Sequence, residues 1–559
     1  MSDFLKNYKG LFGSQEDLAK VFLFCITLYF CSYVLSIYGK IFQIKLFFFK
    51  LAGICMFASF FFILLFLPQK IKNIILKFFI IVSAFLFLVD LVCFWIFQTP
   101  LSSPMIATII ETNPQEAKDF FFTYYSHQIL LILCLTIAIM LLFYKFLGKI
   151  PSHRKFSLFF LFSTLIGFIF WGVNGYKFFI QKNECKHNSA LSFITFFRVS
   201  CELKNAYSSL ANRLDLKKYT QDFSPSLLRR GGGNNITKIV LVIGESTQRG
   251  HMGLYGYDKP TSEFLSHIPS KNLILFTDVI SPYAQTTLSF RKIITFQNYE
   301  NEAKKEWFKY DNLINIFNSI KYQTIWISNQ DIGSEVASLG SKSIFVSELK
   351  DWWEESFVDG KILPYITQEK KKNQKQFFVI HLMGAHASYT NRYPKEFEFF
   401  KYPVISKERF IQRYDNAVRY NSYILQQIFK DFEDEDSLVI FLSDHGEEMM
   451  EKDGKFAGHS DDRLSRFMVE IPLIFYVSDT FIQKHPDLYK KFQQAKNLPY
   501  MSDDLIHTIL DIAGIENKNF DPSRSIINPN FNSKRKRITG AYKQDYDKEL
   551  KQQKSPYKY

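Results

Sequence analysis

Four donor groups in this sequence could share one divalent cation although they lie far apart along it. They are Glu245, a hydroxyl from Ser281-Pro-Tyr-Ala-Gln-Thr-Thr287, and the adjacent Asp444 and His445. Two carboxylates, a hydroxyl and an imidazole form a nitrogen-and-oxygen set that suits zinc or manganese. The plainer alternative, taking each motif alone, is that Glu245 caps the next helix and His445 is a satisfied surface histidine.

Strands ending at one sheet edge would bring these groups together. Ile239 to Ile243 is a run of five apolar residues without helical period, which predicts a strand buried on both faces, and Gly244 lets the backbone turn just before Glu245. Leu438 to Leu442 is a second such run, ending in Ser443-Asp444-His445-Gly446-Glu447-Glu448. The hydroxyl-rich turn follows an expected strand from Leu273 to Val279. Further strands are expected at 324–328, 377–383 and 471–477, with intervening helices such as 407–432. This alternation predicts an α/β domain in which a largely parallel sheet is sandwiched between helices. Open α/β folds gather their chemistry at the carboxyl ends of the strands, where Glu245, Asp444 and His445 would lie.

Gly244-Glu245-Ser246-Thr247, running into His251-Met-Gly-Leu-Tyr-Gly-Tyr257, together with Ser443-Asp444-His445-Gly446-Glu447, resembles the bacterial phosphoethanolamine transferases. These enzymes decorate lipid A, other envelope glycans and proteins, belong to the alkaline phosphatase and sulfatase superfamily, and include the mobile colistin-resistance enzymes. The resemblance implies a metal-dependent transferase. Zn2+, with Mn2+ second, would be held by Glu245, Asp444, His445 and Thr286. Thr286 would be the nucleophile, with Thr287 the fallback if the alignment slips by one. Phosphatidylethanolamine would be the donor, and lipid A, a glycan or a protein the acceptor. His386 and His459 are implied to meet the phosphoryl group or a second metal, whereas His381, within a strand, is expected to be core. Thr112 and Glu116 match by position a stretch that holds the lipid donor, although Thr108 stands where the family has Asn. Two other readings stay open: a glycerophosphotransferase or phosphate or sulfate ester hydrolase of the same superfamily, and a non-catalytic envelope binding module.

The chain of 559 residues, 47% apolar and with 61 Phe, is too long for one domain and too apolar for an ordinary soluble protein. Five segments are long and apolar enough to span a membrane: about 21–38, 44–67, 75–97, 129–147 and 156–173. Lys6, Lys9 and Lys20 before the first, Lys70, Lys72 and Lys77 near the third, and Lys145, Lys149, Arg154 and Lys155 between the last two place the N-terminus in the cytoplasm. An odd number of spans then puts the C-terminal half outside. The expected organisation is a five-helix inner-membrane domain over 1–175, a linker with bridging helices over 176–235 that ends in Arg229-Arg-Gly-Gly-Gly-Asn-Asn235, and a periplasmic catalytic domain over 236–559. No cleavable signal peptide is needed.

The net charge of +14 suits an anionic lipid or lipopolysaccharide surface rather than nucleic acid, which an exported domain does not meet. The runs Lys370-Lys-Lys372 and Lys534-Arg-Lys-Arg537 are expected in loops. Cys25, Cys31, Cys55, Cys93 and Cys134 are expected to be apolar fillers within the spans, and Cys185 and Cys201 are available to pair outside them. A monomer is expected.

Overall fold

The computed structural model describes residues 235–330, 334–346, 358–401 and 408–555 of the C-terminal half, and mainly 20–34, 57–97 and 127–147 of the N-terminal half, with shorter pieces between. The chain divides into two compact units, Met1–Ala211 and Asn212–Tyr559.

In the first unit, α1 (Gln69–Phe97) has 29 residues and is the one helix among the described residues long and apolar enough to cross a membrane. Ile74, Ile81 and Phe85 project from it exposed, as they would toward lipid. α2 (His127–Leu147) and the stretch Lys20–Val34 include shorter apolar helices at two further expected spans. The fifth expected span, Cys185, Cys201, Thr108, Thr112 and Glu116 lie outside the described residues, apart from two residues of that span. Tyr29 is hydrogen-bonded to Ser83 of α1 at 2.7 Å, and Phe57 and Phe61 meet edge to face at 4.8 Å beside them. Asp90, buried near the end of α1, accepts from Nη2 of Arg198 with both carboxylate oxygens at 2.6 Å, and Nη1 of the same guanidinium donates to the Leu101 carbonyl. A charge so placed in an apolar helix is retained only with such a partner.

The second unit is built on seven strands: β1 (Lys238–Gly244), β2 (Leu273–Phe276), β3 (Gln323–Ser328), β4 (Lys342–Phe345), β5 (Gln376–His381), β6 (Ser437–Ser443) and β7 (Leu473–Val477). Their order is β2-β7-β6-β1-β5-β3-β4, parallel throughout except that β7 runs antiparallel to both neighbours. β1 is central and wholly buried, so alternate side chains serve two cores. Ile239, Leu241 and Ile243 face α3 (Thr286–Ile294) and α4 (Leu313–Ser319) through Phe290, Ile293 and Phe317. Val240 and Val242 face α5 (Glu408–Asp431) through Tyr414, Val418 and Leu425, which recur at helical spacing.

β2 is shorter than expected. The chain leaves the sheet at Thr277, whose amide bonds to the Lys496 carbonyl, and Val279–Ile280 then pairs with Tyr500–Met501 instead. Edge strand β4 was not expected, because Lys342-Ser-Ile-Phe345 is short and half exposed. The basic run at 534–537 lies in a loop, as expected, but only Lys534 and Lys536 of it are exposed. Arg535 binds Asp503 at 2.8 Å and Asp504 at 2.7 Å, and Arg537 binds Asp278 at 2.6 Å, with both guanidiniums and the Asp503–Asp504 pair buried or nearly so. A run of like charges in a loop carries no period that marks two of them as buried.

Removing one partner leaves such carboxylates uncompensated. Arg535→Ala should therefore lower the stability of this unit by about 3–5 kcal/mol. Chemical denaturation checks this, and a loss below about 1 kcal/mol, the level of a surface pair, contradicts it.

Candidate active site

β1 and β6 lie side by side in parallel register, Gly244 opposite Ser443, so the residues that follow them leave the sheet together. Glu245, Asp444 and His445 are all fully buried there, and one ligand atom from each lies within 4.8 Å of the others. His445 Nε2 stands 3.2 Å from Glu245 Oε1 and 3.5 Å from Asp444 Oδ2. Thr286, the first residue of α3, points its Oγ1 at Glu245 Oε2 (3.0 Å) and His445 Nε2 (3.3 Å). Four of the residues singled out in the sequence thus converge.

The site is shaped for a cation. Asp444 Oδ1 is occupied by the amides of Ser246 and His445, whereas Oδ2 is buried without a hydrogen-bond partner. His445 Nδ1 lies 2.9 Å from the Gly446 carbonyl and donates to it, which turns Nε2 toward the carboxylates, where a bound cation would take the place of the Nε2 proton. A buried unpartnered carboxylate oxygen, a second carboxylate and an oriented imidazole fit zinc. A further group of His445, Glu447 and His459 has the same compactness.

The charges interlock. Burial and the Glu245 charge push the Asp444 carboxyl well above its usual range. Burial alone would raise Glu245 too, but the charge and hydrogen bond of His445 outweigh it and hold Glu245 well below the carboxylate range. Burial pulls His445 down, while Asp444 and Glu245 together raise it to about 10.

The other two histidines lie at the same place. His459 Nδ1 is 2.6 Å from Glu447 Oε2, which fixes its ring and leaves Nε2 free to act, and its ring centroid is 4.1 Å from that of His445. His386 follows β5, and burial pulls it down to about 4, so it is neutral at neutral pH. His381, as expected, is core: it stacks on Phe290 of α3, the helix that carries Thr286.

Several supports had no motif. Gln330, just beyond β3, donates to Glu245 Oε2 at 3.2 Å and to the Leu382 carbonyl at 2.6 Å. Its one sequence signal is its place after a strand of the same sheet. Asp359 accepts the amides of Met383 and Gly384 at 2.8 Å each, turning the loop after β5 inward. Gly384 has φ +56°, and a Cβ there would come within 2.6 Å of the Glu245 carbonyl oxygen, so only glycine lets this loop approach the ligand. Ser246 is in the left-handed region at φ +55°, pinned by the Tyr414 hydroxyl, which donates to its carbonyl at 2.6 Å. His251 opens the Met-Gly-Leu-Tyr-Gly-Tyr stretch and is structural. It is fully buried between Asp415 (2.8 Å) and Glu451 (3.2 Å), and Tyr257 and Lys259 also bind Asp415.

Residues 237–515 match the sulfatase family model. The chain is 27% identical over 490 residues to the phosphoethanolamine transferase EptC of Escherichia coli, an alignment covering 81% of this chain and 83% of that protein. The crystal structure of the C-terminal periplasmic domain of Escherichia coli EptC in complex with Zn is 28% identical, covers 59% of this chain and 99% of that one, and superposes with a TM-score of 0.54. The integral membrane lipooligosaccharide phosphoethanolamine transferase A (EptA) of Neisseria meningitidis is 18% identical and covers 91% of this chain and 97% of that one at a TM-score of 0.64, which shows a shared fold.

Burial pulls His251 down, but the bonds from Asp415 and Glu451 outweigh this and raise it to about 9. A group raised above its unfolded value of about 6.5 stabilises fully below that pH and loses the contribution as pH climbs through the folded value. Stability of this unit should therefore fall between about pH 6.5 and 9 by an amount on the order of 3 kcal/mol that is missing in His251→Gln. Urea unfolding of both proteins across that window checks it, and parallel pH profiles contradict it.

Proposed function

We infer the function from the premise that this chain belongs to the bacterial phosphoethanolamine transferases, within the alkaline phosphatase and sulfatase superfamily. It is a phosphoethanolamine transferase of the cell envelope. We propose that it takes the headgroup from phosphatidylethanolamine onto Thr286 and passes it to lipid A or another envelope acceptor. The observation that carries this reading is the meeting of Thr286 Oγ1 with Glu245 and His445 at a buried sheet edge. A non-catalytic binding module has no need of such a hydroxyl.

A zinc ion would be held by Glu245, Asp444 through its open Oδ2, His445 through Nε2, and Thr286. When bound, it supplies the positive charge that acidifies the threonine hydroxyl and neutralises phosphoryl oxygens. Glu245 and His445 orient Oγ1, and α3 directs its amide dipoles at the same point, which favours an anion there. Oγ1, its proton lost to solvent, forms a bond to phosphorus as the bond from phosphorus to the glycerol oxygen breaks. The departing diacylglycerol oxygen takes up a proton, which His459, held by Glu447, is placed to give, while neutral His386 can hydrogen-bond a phosphoryl oxygen. The acceptor hydroxyl or phosphate then attacks phosphorus, giving its proton to His459, as the bond from phosphorus to Thr286 Oγ1 breaks and the threonine oxygen is released.

The membrane arrangement supported by the flanking lysines is five spans with the N-terminus in the cytoplasm and the catalytic domain, 236–559, in the periplasm. The full-length fold shared with the Neisseria protein agrees with a membrane-embedded first half. Thr112 and Glu116 would hold the donor lipid, and a net charge of +14 favours an anionic acceptor surface. We take the working unit to be a monomer.

Incubating the purified chain with acyl-labelled phosphatidylethanolamine should release labelled diacylglycerol and leave a phosphoethanolamine adduct that maps to Thr286 by mass spectrometry. Thr286→Ala should fold normally, carry no adduct and lose activity by about 10³-fold or more. An active Thr286→Ala protein, or an adduct on Thr287, would overturn the assignment. Glu245→Ala should bind zinc about 100-fold more weakly, as read by competition with a chromogenic chelator. Unchanged affinity would remove Glu245 from the ligand set.

A further inference from the structure

The turn that presents Thr286 is held by a part of the chain far outside the matched sulfatase region. Residues 237–515 match that model, whereas a hairpin of Ile538–Thr539 and Gln544–Asp545 follows it. Buried Thr539 directs its Oγ1 at the carbonyls of Ser281 and Pro282, both at 3.0 Å, and the Gly540 amide donates to the Pro282 carbonyl at 2.9 Å. Arg537, one step before the hairpin, binds the side chain of Asp278 at 2.6 Å and its carbonyl at 3.2 Å, at the start of the same segment. From the other side, buried Asp461 accepts the Ala284 amide at 3.0 Å. Within the turn, Ser281 and Ser289 both donate to the Tyr283 carbonyl, at 2.9 and 2.8 Å. Every residue from Ser281 to Ala284 is therefore fixed by at least one hydrogen bond, and three of the bonds come from the hairpin.

We propose that Thr539 is a positioning residue for phosphoryl transfer: its hydroxyl, gripping the Ser281 and Pro282 carbonyls, sets the turn that aims Thr286 Oγ1 at the metal site. The proposal rests on Thr286 being the nucleophile. Its physical reason is that a displacement of about 1 Å in a reacting atom costs about 100-fold in rate. Two residues separate the gripped carbonyl of Pro282 from Gln285, the cap of α3, so a loosened turn is felt at the helix start. Thr539 touches neither the ligands nor the nucleophile and acts through the backbone alone.

The test uses the full-length chain in detergent micelles containing acyl-labelled phosphatidylethanolamine. Thr539→Val keeps the shape and removes the hydroxyl. Its kcat should fall about 10- to 100-fold with KM changed by less than about twofold and with bound zinc per chain equal to that of the parent. Thr539→Ser, which restores the hydroxyl, should return kcat to within about threefold of the parent. Amide hydrogen exchange read by mass spectrometry should accelerate over residues 281–290 in Thr539→Val and stay unchanged over β1 and β6. Should the valine protein fail to fold, Thr539→Ala is judged by the same measurements. An active parent beside an equally active Thr539→Val, or unchanged exchange over 281–290, overturns the proposal alone. A parent that releases no labelled diacylglycerol overturns the transferase reading and the proposal with it.

Discussion

Two carboxylates buried side by side at the ends of adjacent parallel strands set the terms for the C-terminal unit. Glu245 and Asp444 cannot both be charged in that position without a cation between or beside them. His445 supplies one positive charge, which is why Glu245 is held low and Asp444 is pushed up. The protons this arrangement retains sit on the groups a divalent metal needs bare. The architecture thus stores a demand for a cation, and the orphaned Oδ2 of Asp444 is its clearest sign.

Such an arrangement is costly unless the surrounding backbone prevents it from relaxing. Glu245 is fixed by the Gln330 amide, by the Gly384 loop bonded to its carbonyl through the Ala385 amide at 2.9 Å, and by a strained Ser246 that the Tyr414 hydroxyl holds from behind. Tyr414 belongs to α5, which also carries Asp415, the partner of His251. The Met-Gly-Leu-Tyr-Gly-Tyr stretch is therefore best understood as the anchor that fastens α5 to the turn after β1. Its chemistry is one step removed from phosphorus, yet the geometry of the ligands depends on it. Thr286 is held separately, by a turn clamped between Asp461 and the C-terminal hairpin.

Much of this was legible in the residues. The apolar runs at 239–243 and 438–442, each ending in a polar cluster, placed Glu245, Asp444 and His445 at one edge, because strand period and parallel pairing leave few alternatives. Thr286 was reached by resemblance, and its position at the start of α3 could not be derived from spacing. Gln330, Asp359, Asp461 and Thr539 were missed, since each acts through a backbone group or a single hydrogen bond made only after distant segments meet. The loop at 534–537 was legible but the burial of Arg535 and Arg537 was not, for the same reason: Asp503, Asp504 and Asp278 arrive from elsewhere. The membrane-length helix α1 was visible as apolar length, whereas the Asp90 and Arg198 pair that ties a later segment to it was not.

The most direct test is anomalous diffraction at the zinc edge from crystals of the protein grown with zinc. The account predicts a strong peak bonded at about 2.0–2.2 Å to Glu245, Thr286, Asp444 and His445. A peak elsewhere, or a metal that these four side chains do not share, would contradict it.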